Sequence, residues 1–93
     1  MHIGVCQVEL FLPMVHSLKE KRHILKSIKD QVRNKFNVSI SEVGFNDKWQ
    51  RTILGIACVA NDMTHIDQVM CQVQLLIERK KGIEVIDVKR EHL

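Results

Sequence analysis

The chain predicts an α+β domain of the ferredoxin-like class, in which a four-stranded antiparallel sheet carries two helices on one face. Two observations support this class. Segments typical of strands and segments typical of amphipathic helices follow one another in the order β-α-β-β-α-β. The 93 residues contain no linker, repeat or low-complexity stretch, so we expect one domain over residues 1–93.

The first strand and the first helix have clear boundaries in the sequence. Residues 3–12 are rich in β-branched and apolar side chains, and Pro13 ends the strand that they predict. Ser17 and Glu20 then have the spacing of a capping box, in which each side chain binds the other residue's backbone N–H. The apolar spacing that follows predicts a helix that runs to about Asn34.

A hairpin follows the first helix. Residues 37–43 alternate between polar and apolar, as in an edge strand with one exposed face. Residues 44–48 contain Gly, Asn and Asp and predict a turn. Residues 50–60 are nearly all apolar, which indicates a central strand that is covered on both faces.

A second helix and a last strand complete the pattern. Thr64 and Asp67 have the spacing of another capping box, and apolar residues at helical spacing begin at Ile66. Gly82 stands where a left-handed residue is expected after a helix. Residues 83–90 then predict the fourth strand.

One face of the predicted sheet has no helix to cover it. The first and third strands nevertheless carry apolar residues on both alternations, so one apolar set must lie on the open face. The two sets are Ile3, Val5, Ile53 and Val59 on one alternation and Cys6, Val8, Leu54 and Ile56 on the other. Because an apolar face of that size is normally covered, we expect a homodimer or higher oligomer that packs sheet to sheet or edge to edge.

The first helix carries much of the positive charge. Residues 17–35 hold seven of the 14 lysines and arginines against two acids, while the other 74 residues hold seven bases and nine acids. Five of these bases fall on one stripe beside the apolar face, with no acid between them: Lys19, Arg22, Lys26, Lys29 and Arg33. The stripe is either an ordinary solvated helix face or a surface for an anionic partner, with a phosphate backbone as the best complement.

Aromatic residues are too few for base recognition on the sheet. RNA-recognition sheets stack bases on aromatic residues of their two central strands. Here the third strand has no aromatic residue, and the first strand has only Phe11 at its end. We therefore expect any RNA contact to involve the first helix and to be directed at phosphates.

The densest polar cluster surrounds the predicted hairpin. Its candidate ligand-binding residues are Asn37, Ser39, Glu42, Asp47, Trp49 and Arg51. One interpretation is structural: the polar residues form the turn, Trp49 covers the edge of the core, and Arg51 pairs with Glu42 or Asp47. The alternatives are a small-ligand site and, more remotely, a catalytic site.

Other classes of function find no support in the sequence. Cys6, Cys58 and Cys71 are widely spaced among apolar neighbours, as buried free thiols would be, and no metal-binding pair of Cys or His occurs. The four glycines are isolated, so no phosphate loop is formed. We expect no metal, no cofactor and no enzymatic activity. No apolar run approaches a membrane span and no leader is evident, so we expect a cytoplasmic protein.

Three strings resemble those of the bacterial YlxP-like family, a domain of unknown function. They are SLKEKR at residues 17–22, FNVS at 36–39 and WQR at 49–51. The resemblance implies a ferredoxin-like fold, and it supplies no catalytic residues. Genes of the family often lie among those for transcription elongation, translation initiation and ribosome maturation, which implies ribosomal RNA or a ribosomal particle as the partner.

The residues and the resemblance together favour an RNA- or ribosome-associated accessory protein that binds phosphates through the helix at 17–35. A protein-interaction module that oligomerises through its open sheet, with no role in nucleic-acid binding, is the alternative. A small-ligand binder at residues 37–51 is the third possibility.

Overall fold

All six predicted elements are present in the predicted order. A computed structural model describes the whole chain, residues 1–93. The element bounds are β1 (His2–Phe11), α1 (Leu18–Lys35), β2 (Ser39–Gly44), β3 (Arg51–Ala60), α2 (Met63–Glu78) and β4 (Glu84–His92). The ferredoxin-like α+β class is therefore confirmed.

The four strands form one antiparallel sheet in the order β2-β3-β1-β4. Val8 on β1 lies opposite Leu54 on β3 and opposite Val88 on β4. Side chains that are opposite each other in a sheet share a face, so the even-numbered residues of β1 and β3 point to the same side. That side carries the core, and both α1 and α2 pack on it.

The two faces of the sheet differ sharply in burial. Val8 and Leu54 on the helix side are fully buried, and each apolar side chain of this size contributes about 1.5–3 kcal/mol when buried. The apolar set on the opposite, helix-free face is Ile3, Val5, Ile53 and Val59. Val59 is 58% exposed. One apolar set thus lies on a face without a helix, as the sequence predicts, although Ile3, Val5 and Ile53 are partly buried there. The prediction that the third strand is covered on both faces is therefore wrong.

The helix ends differ in detail from the sequence prediction. Ser17 caps α1, and its hydroxyl accepts from the N–H of Glu20 at 3.1 Å; the Glu20 carboxylate does not bind the Ser17 N–H, so only half of the predicted capping box forms. The cap of α2 is Asp62, which accepts from the N–H of Thr64, so the predicted capping box at Thr64 is wrong. An aspartate carboxylate is at least as good an N-cap as a threonine hydroxyl, and Asp62 directly precedes the first helical residue, Met63. Gly82 has a φ of +79° in the turn before β4, beyond the C-cap Arg79.

Two of the three cysteines are buried. Cys6 and Cys58 belong to the core, and burial raises the pKa of the Cys6 thiol although Arg90 acts in the opposite direction. Cys71 is exposed, which corrects the expectation of three buried thiols. Helical periodicity is the cause, because Met70 and Val73 take the inward positions of α2 on either side of it. Neither helix combines the length and apolar content needed to span a membrane.

Candidate nucleic-acid interface

The outward side of α1 carries the predicted basic stripe. Leu25, Ile28 and Val32 are buried against the sheet, which turns the stripe away from the core. The positions of its five members are as follows: Lys19, Arg22, Lys26 and Arg33 are exposed, and Lys29 is partly buried. The structure therefore places all five predicted nucleic-acid-binding residues along one helix.

Two members of the stripe already have partners within the protein. Lys26 forms an ion pair with Asp30 at 2.7 Å, one helical turn further on. The hydrogen bond from Lys26 is the main reason why the pKa of Asp30 is lowered. Arg33 donates to the backbone carbonyl of Ile40 on the edge strand β2 at 2.8 Å. The expectation of a stripe without an interleaved acid is thus wrong, because Asp30 lies within reach of Lys26 at i,i+4.

Lys19 and Arg22 are the least engaged cations of the stripe. Both are exposed in the first two turns of α1, and neither side chain forms an ion pair or hydrogen bond within the protein. They lie close to the helix N-terminus, where unpaired backbone N–H groups add partial positive charge. Lys19 and Arg22 are consequently the exposed members of the stripe most available to an anion, with the exposed carboxylate of Glu20 in the same turn.

Lys21 is buried, although it stands between the exposed residues Lys19 and Arg22 in the sequence. Its side chain is 1% exposed. The ammonium Nζ donates to the carbonyls of Phe45 at 2.6 Å and Lys48 at 2.5 Å, and it pairs with the Glu42 carboxylate at 2.7 Å. Those three partners use all three donors of a lysine ammonium.

Glu42 connects this network to the central strand. Its carboxylate also accepts from the Thr52 hydroxyl on β3 at 2.7 Å. A buried charge is costly unless it is paired and hydrogen-bonded, and here the pair is surrounded by further donors and acceptors. The network therefore fixes the β2–β3 turn against the start of α1.

A second set of hydrogen bonds holds the same turn from the other side. The Gln50 amide donates to the carbonyls of Pro13 and Val15 in the β1–α1 loop, both at 3.1 Å. Phe45 has a φ of +57°, a left-handed conformation that is uncommon for residues other than glycine. Its carbonyl accepts from Lys21, and this contact stabilises that conformation. The hairpin is thus fixed to both the helix and the preceding loop.

The fixed hairpin presents an aromatic and charged surface. Trp49 is 53% exposed, so the interpretation that it covers the core edge is wrong. Arg51 forms an ion pair with Glu9 on β1 and lies over the Phe45 ring, 5.1 Å from its centroid. The predicted pairing of Arg51 with Glu42 or Asp47 is also wrong. Strand alternation explains this, since Arg51 and Glu9 share the helix-free face while Glu42 points to the helix side.

The six candidate ligand-binding residues do not form one site. Ser39 is the first residue of β2 and Asn37 precedes it by two, so both lie at the opposite end of that strand from the turn. Glu42 is occupied by Lys21 and Thr52. The remaining three, Asp47, Trp49 and Arg51, line a shallow depression at the hairpin together with Lys48 and Gln50. No group of three or more His, Cys, Asp or Glu side chains is placed to hold a metal ion.

Lys21 and Gln50 are the residues of this region whose roles the sequence interpretation missed. A signal for Lys21 was available, because it precedes Leu25 by four residues and Ile28 by seven. That spacing places it on the inward face of the helix. No comparable signal exists for Gln50, whose two acceptors lie 35 and 37 residues away in the sequence.

A family model described as "Protein of unknown function (DUF503)" matches residues 3–90 of the chain. A relative in Bacillus subtilis (strain 168), described as "Uncharacterized protein YlxP", is 44% identical over 82 residues. The aligned part covers 88% of this chain and 89% of the relative.

Solved structures with the same architecture are distant in sequence. The alignment with the de novo designed protein Foldit4 covers 98% of this chain and 97% of the design. The TM-score is 0.57 and the sequence identity is 15%. The alignment with a second design, Ferredog-Diesel, covers 96% of this chain and 83% of the design, at a TM-score of 0.51 and a sequence identity of 10%. A dimeric ferredoxin-like protein from an uncultured marine organism aligns over the whole of this chain and 96% of its own length. Its TM-score is 0.50 and its sequence identity is 4%. These similarities show the fold alone.

Proposed function

The chain belongs to the family of proteins of unknown function described as DUF503, and we propose that it is an RNA- or ribosome-associated accessory protein. Its contact surface is the outward side of α1, which binds RNA phosphates. The partner is ribosomal RNA, free or within a ribosomal particle.

One observation carries the proposal: Lys19 and Arg22 are exposed cations without protein partners at the N-terminal end of a basic helix. A phosphate at this position would meet two positive side chains and the partial charge of the helix terminus. The rest of the chain has more acids than bases, so electrostatic attraction would orient a polyanion toward α1.

The other members of the stripe can extend this contact. The ion pair between Lys26 and Asp30 is exposed on both sides, and such pairs contribute little to stability. Lys26 can therefore turn from Asp30 to a phosphate at small cost. Arg33 uses one N–H group on Ile40 and keeps other donors of its guanidinium.

The test is a titration of fluorescently labelled ribosomal RNA fragments, together with co-sedimentation with ribosomal particles. We expect Lys19→Glu with Arg22→Glu to abolish both. The matched control is Arg79→Glu with Lys81→Glu, which makes the same charge change at two exposed bases after α2. Equal affinity of wild type and the α1 variant would overturn the proposal.

A second candidate function rests on the helix-free face of the sheet. No helix covers its apolar row of Ile3, Val5, Ile53 and Val59; the first three are partly buried and Val59 is 58% exposed. We propose that a second copy packs on this face or along an edge, giving a homodimer or higher oligomer. Such a dimer could serve protein interaction alone, or it could present two basic helices together.

Sedimentation analysis tests the oligomer. Wild type should sediment as a dimer or larger species at micromolar concentration, and Val59→Lys should shift it to a monomer. Leu75→Lys, at a 46% exposed apolar position on α2, is the control and should leave the assembly intact. A wild-type monomer under these conditions would remove this candidate.

A further inference from the structure

Trp49 is the largest side chain that the fixed hairpin leaves in solvent. The preceding residue, Lys48, gives its carbonyl to the buried ammonium of Lys21, and the following residue, Gln50, is bound to the β1–α1 loop. The indole is thus 53% exposed on a backbone that is held on both sides. A rigid, exposed aromatic ring gives up burial energy that a covered position would have provided.

The hairpin that carries the indole is bonded to the start of α1 through Lys21. Lys21 directly precedes Arg22 on the helix, and its Nζ lies 2.5 Å from the carbonyl of the residue before Trp49. The connection between Arg22 and Trp49 therefore passes through two residues only, Lys21 and Lys48. Lys48 adds an exposed cation beside the ring and Asp47 an exposed carboxylate, while Arg51 is paired with Glu9.

An exposed aromatic ring beside phosphate-binding cations is the arrangement that proteins use for single-stranded nucleic acids. The cations follow the backbone and the ring stacks on a base. A duplex offers no such base, because its bases are stacked on one another inside the helix. Trp and Arg are also common at protein interfaces, but the unpaired cations Lys19 and Arg22 at the start of α1 favour a polyanion.

We propose that Trp49 stacks on an unpaired base of an RNA strand whose phosphates lie on Lys19 and Arg22. This inference rests on the proposed function of α1 and narrows its partner to single-stranded RNA, such as a loop or an end of ribosomal RNA. Phosphate contact and base contact then come from two different elements, α1 and the β2–β3 hairpin.

The chain provides its own probe for this contact. Trp49 is the only tryptophan and no tyrosine is present, so the tryptophan emission reports on this site alone. Titration with an unlabelled 12-nucleotide single strand should quench the emission, and a blunt RNA duplex of the same length should bind more weakly and leave it unchanged. Trp49→Ala should weaken binding of the labelled single strand about tenfold, and Trp49→Phe should recover most of that loss.

Leu75→Ala is the control, since it removes an exposed apolar side chain from α2 and should leave RNA affinity unchanged. Binding that needs Lys19 and Arg22 but neither quenches the emission nor weakens in Trp49→Ala would overturn the stacking inference and leave the function of α1 standing. That result would point to a protein contact for Trp49. Absence of any RNA binding would overturn both proposals.

Discussion

The inner and outer sides of α1 carry the same kind of residue in opposite roles. On the inner side, Lys21 is buried and its ammonium binds Glu42 and two carbonyls of the β2–β3 turn. On the outer side, Lys19 and Arg22 are exposed and have no partner in the protein. Helical phase decides between the two roles, because Lys21 lies above Leu25 and Ile28 on the apolar face.

The difference shows that the number of bases in a helix is not the charge that it offers to a partner. Lys21 is neutralised inside the protein, and Lys26 is paired with Asp30 at the surface. The stripe cations without a protein partner are therefore Lys19 and Arg22 in the first turns and Lys29 further along the helix. One basic segment thus does two jobs: its inner lysine shapes the hairpin, and its outer cations remain available for binding.

The largest expected effect is the loss of the inner lysine. Lys21→Met keeps the apolar stem but leaves Glu42 and the Lys48 carbonyl without their partner, so the free energy of unfolding should fall by about 3–5 kcal/mol. Urea denaturation measures this change in the free energy of unfolding. Lys19→Met is the matched control and should change stability by less than about 0.5 kcal/mol. Similar losses in both variants would show that the two sides of α1 are not distinct.

A smaller effect is expected at the strand end of the same network. Thr52→Val removes the hydroxyl that donates to Glu42 and should lower the free energy of unfolding by about 1–3 kcal/mol. The double variant with Lys21→Met should lose less free energy of unfolding than the sum of the two single losses, because both residues bind the same carboxylate. Simple additivity in denaturation experiments would mean that Lys21 and Thr52 act independently.

The smallest expected effect lies on the outer side. Asp30→Asn removes the only acid that pairs with the stripe and frees Lys26, so RNA affinity should rise a few-fold while stability changes little. The pKa of Asp30 is lowered from its ordinary value of 3.8, so the pair stabilises the fold above that value. The small stability difference between wild type and variant should disappear as the pH falls through the lowered pKa. An unchanged or lower RNA affinity of Asp30→Asn would show that Lys26 is not part of the contact surface.

Local patterns were sufficient to predict the fold. The Ser17 cap, the alternation in β2 and the apolar run of β3 depend on neighbours within a few residues, and each stands where the sequence places it. The hairpin site was harder, because its contacts join distant parts of the chain. The pairing of Arg51 with Glu9 depends on the register of β1 and β3 across 42 residues.

Two features of the site were interpreted wrongly for physical reasons. A lysine is normally exposed, so the charge count of the first helix includes Lys21 although its phase is inward. A tryptophan is normally well buried, so the sequence alone favours the core edge for Trp49 although it follows a turn. In both cases the average behaviour of the residue type was overridden by the Lys21–Glu42 network, which draws the lysine inward and fixes the turn.

Above all, we propose that the outer cations at the start of α1 bind RNA phosphates. The salt dependence of single-stranded RNA affinity tests it most directly, with wild type compared with Lys19→Gln plus Arg22→Gln. Each lost phosphate contact should make the slope of log affinity against log salt shallower by about 0.7, so the double variant should lose about 1.4. Arg79→Gln plus Lys81→Gln should keep the wild-type slope. Parallel slopes for wild type and the α1 variant would contradict the claim.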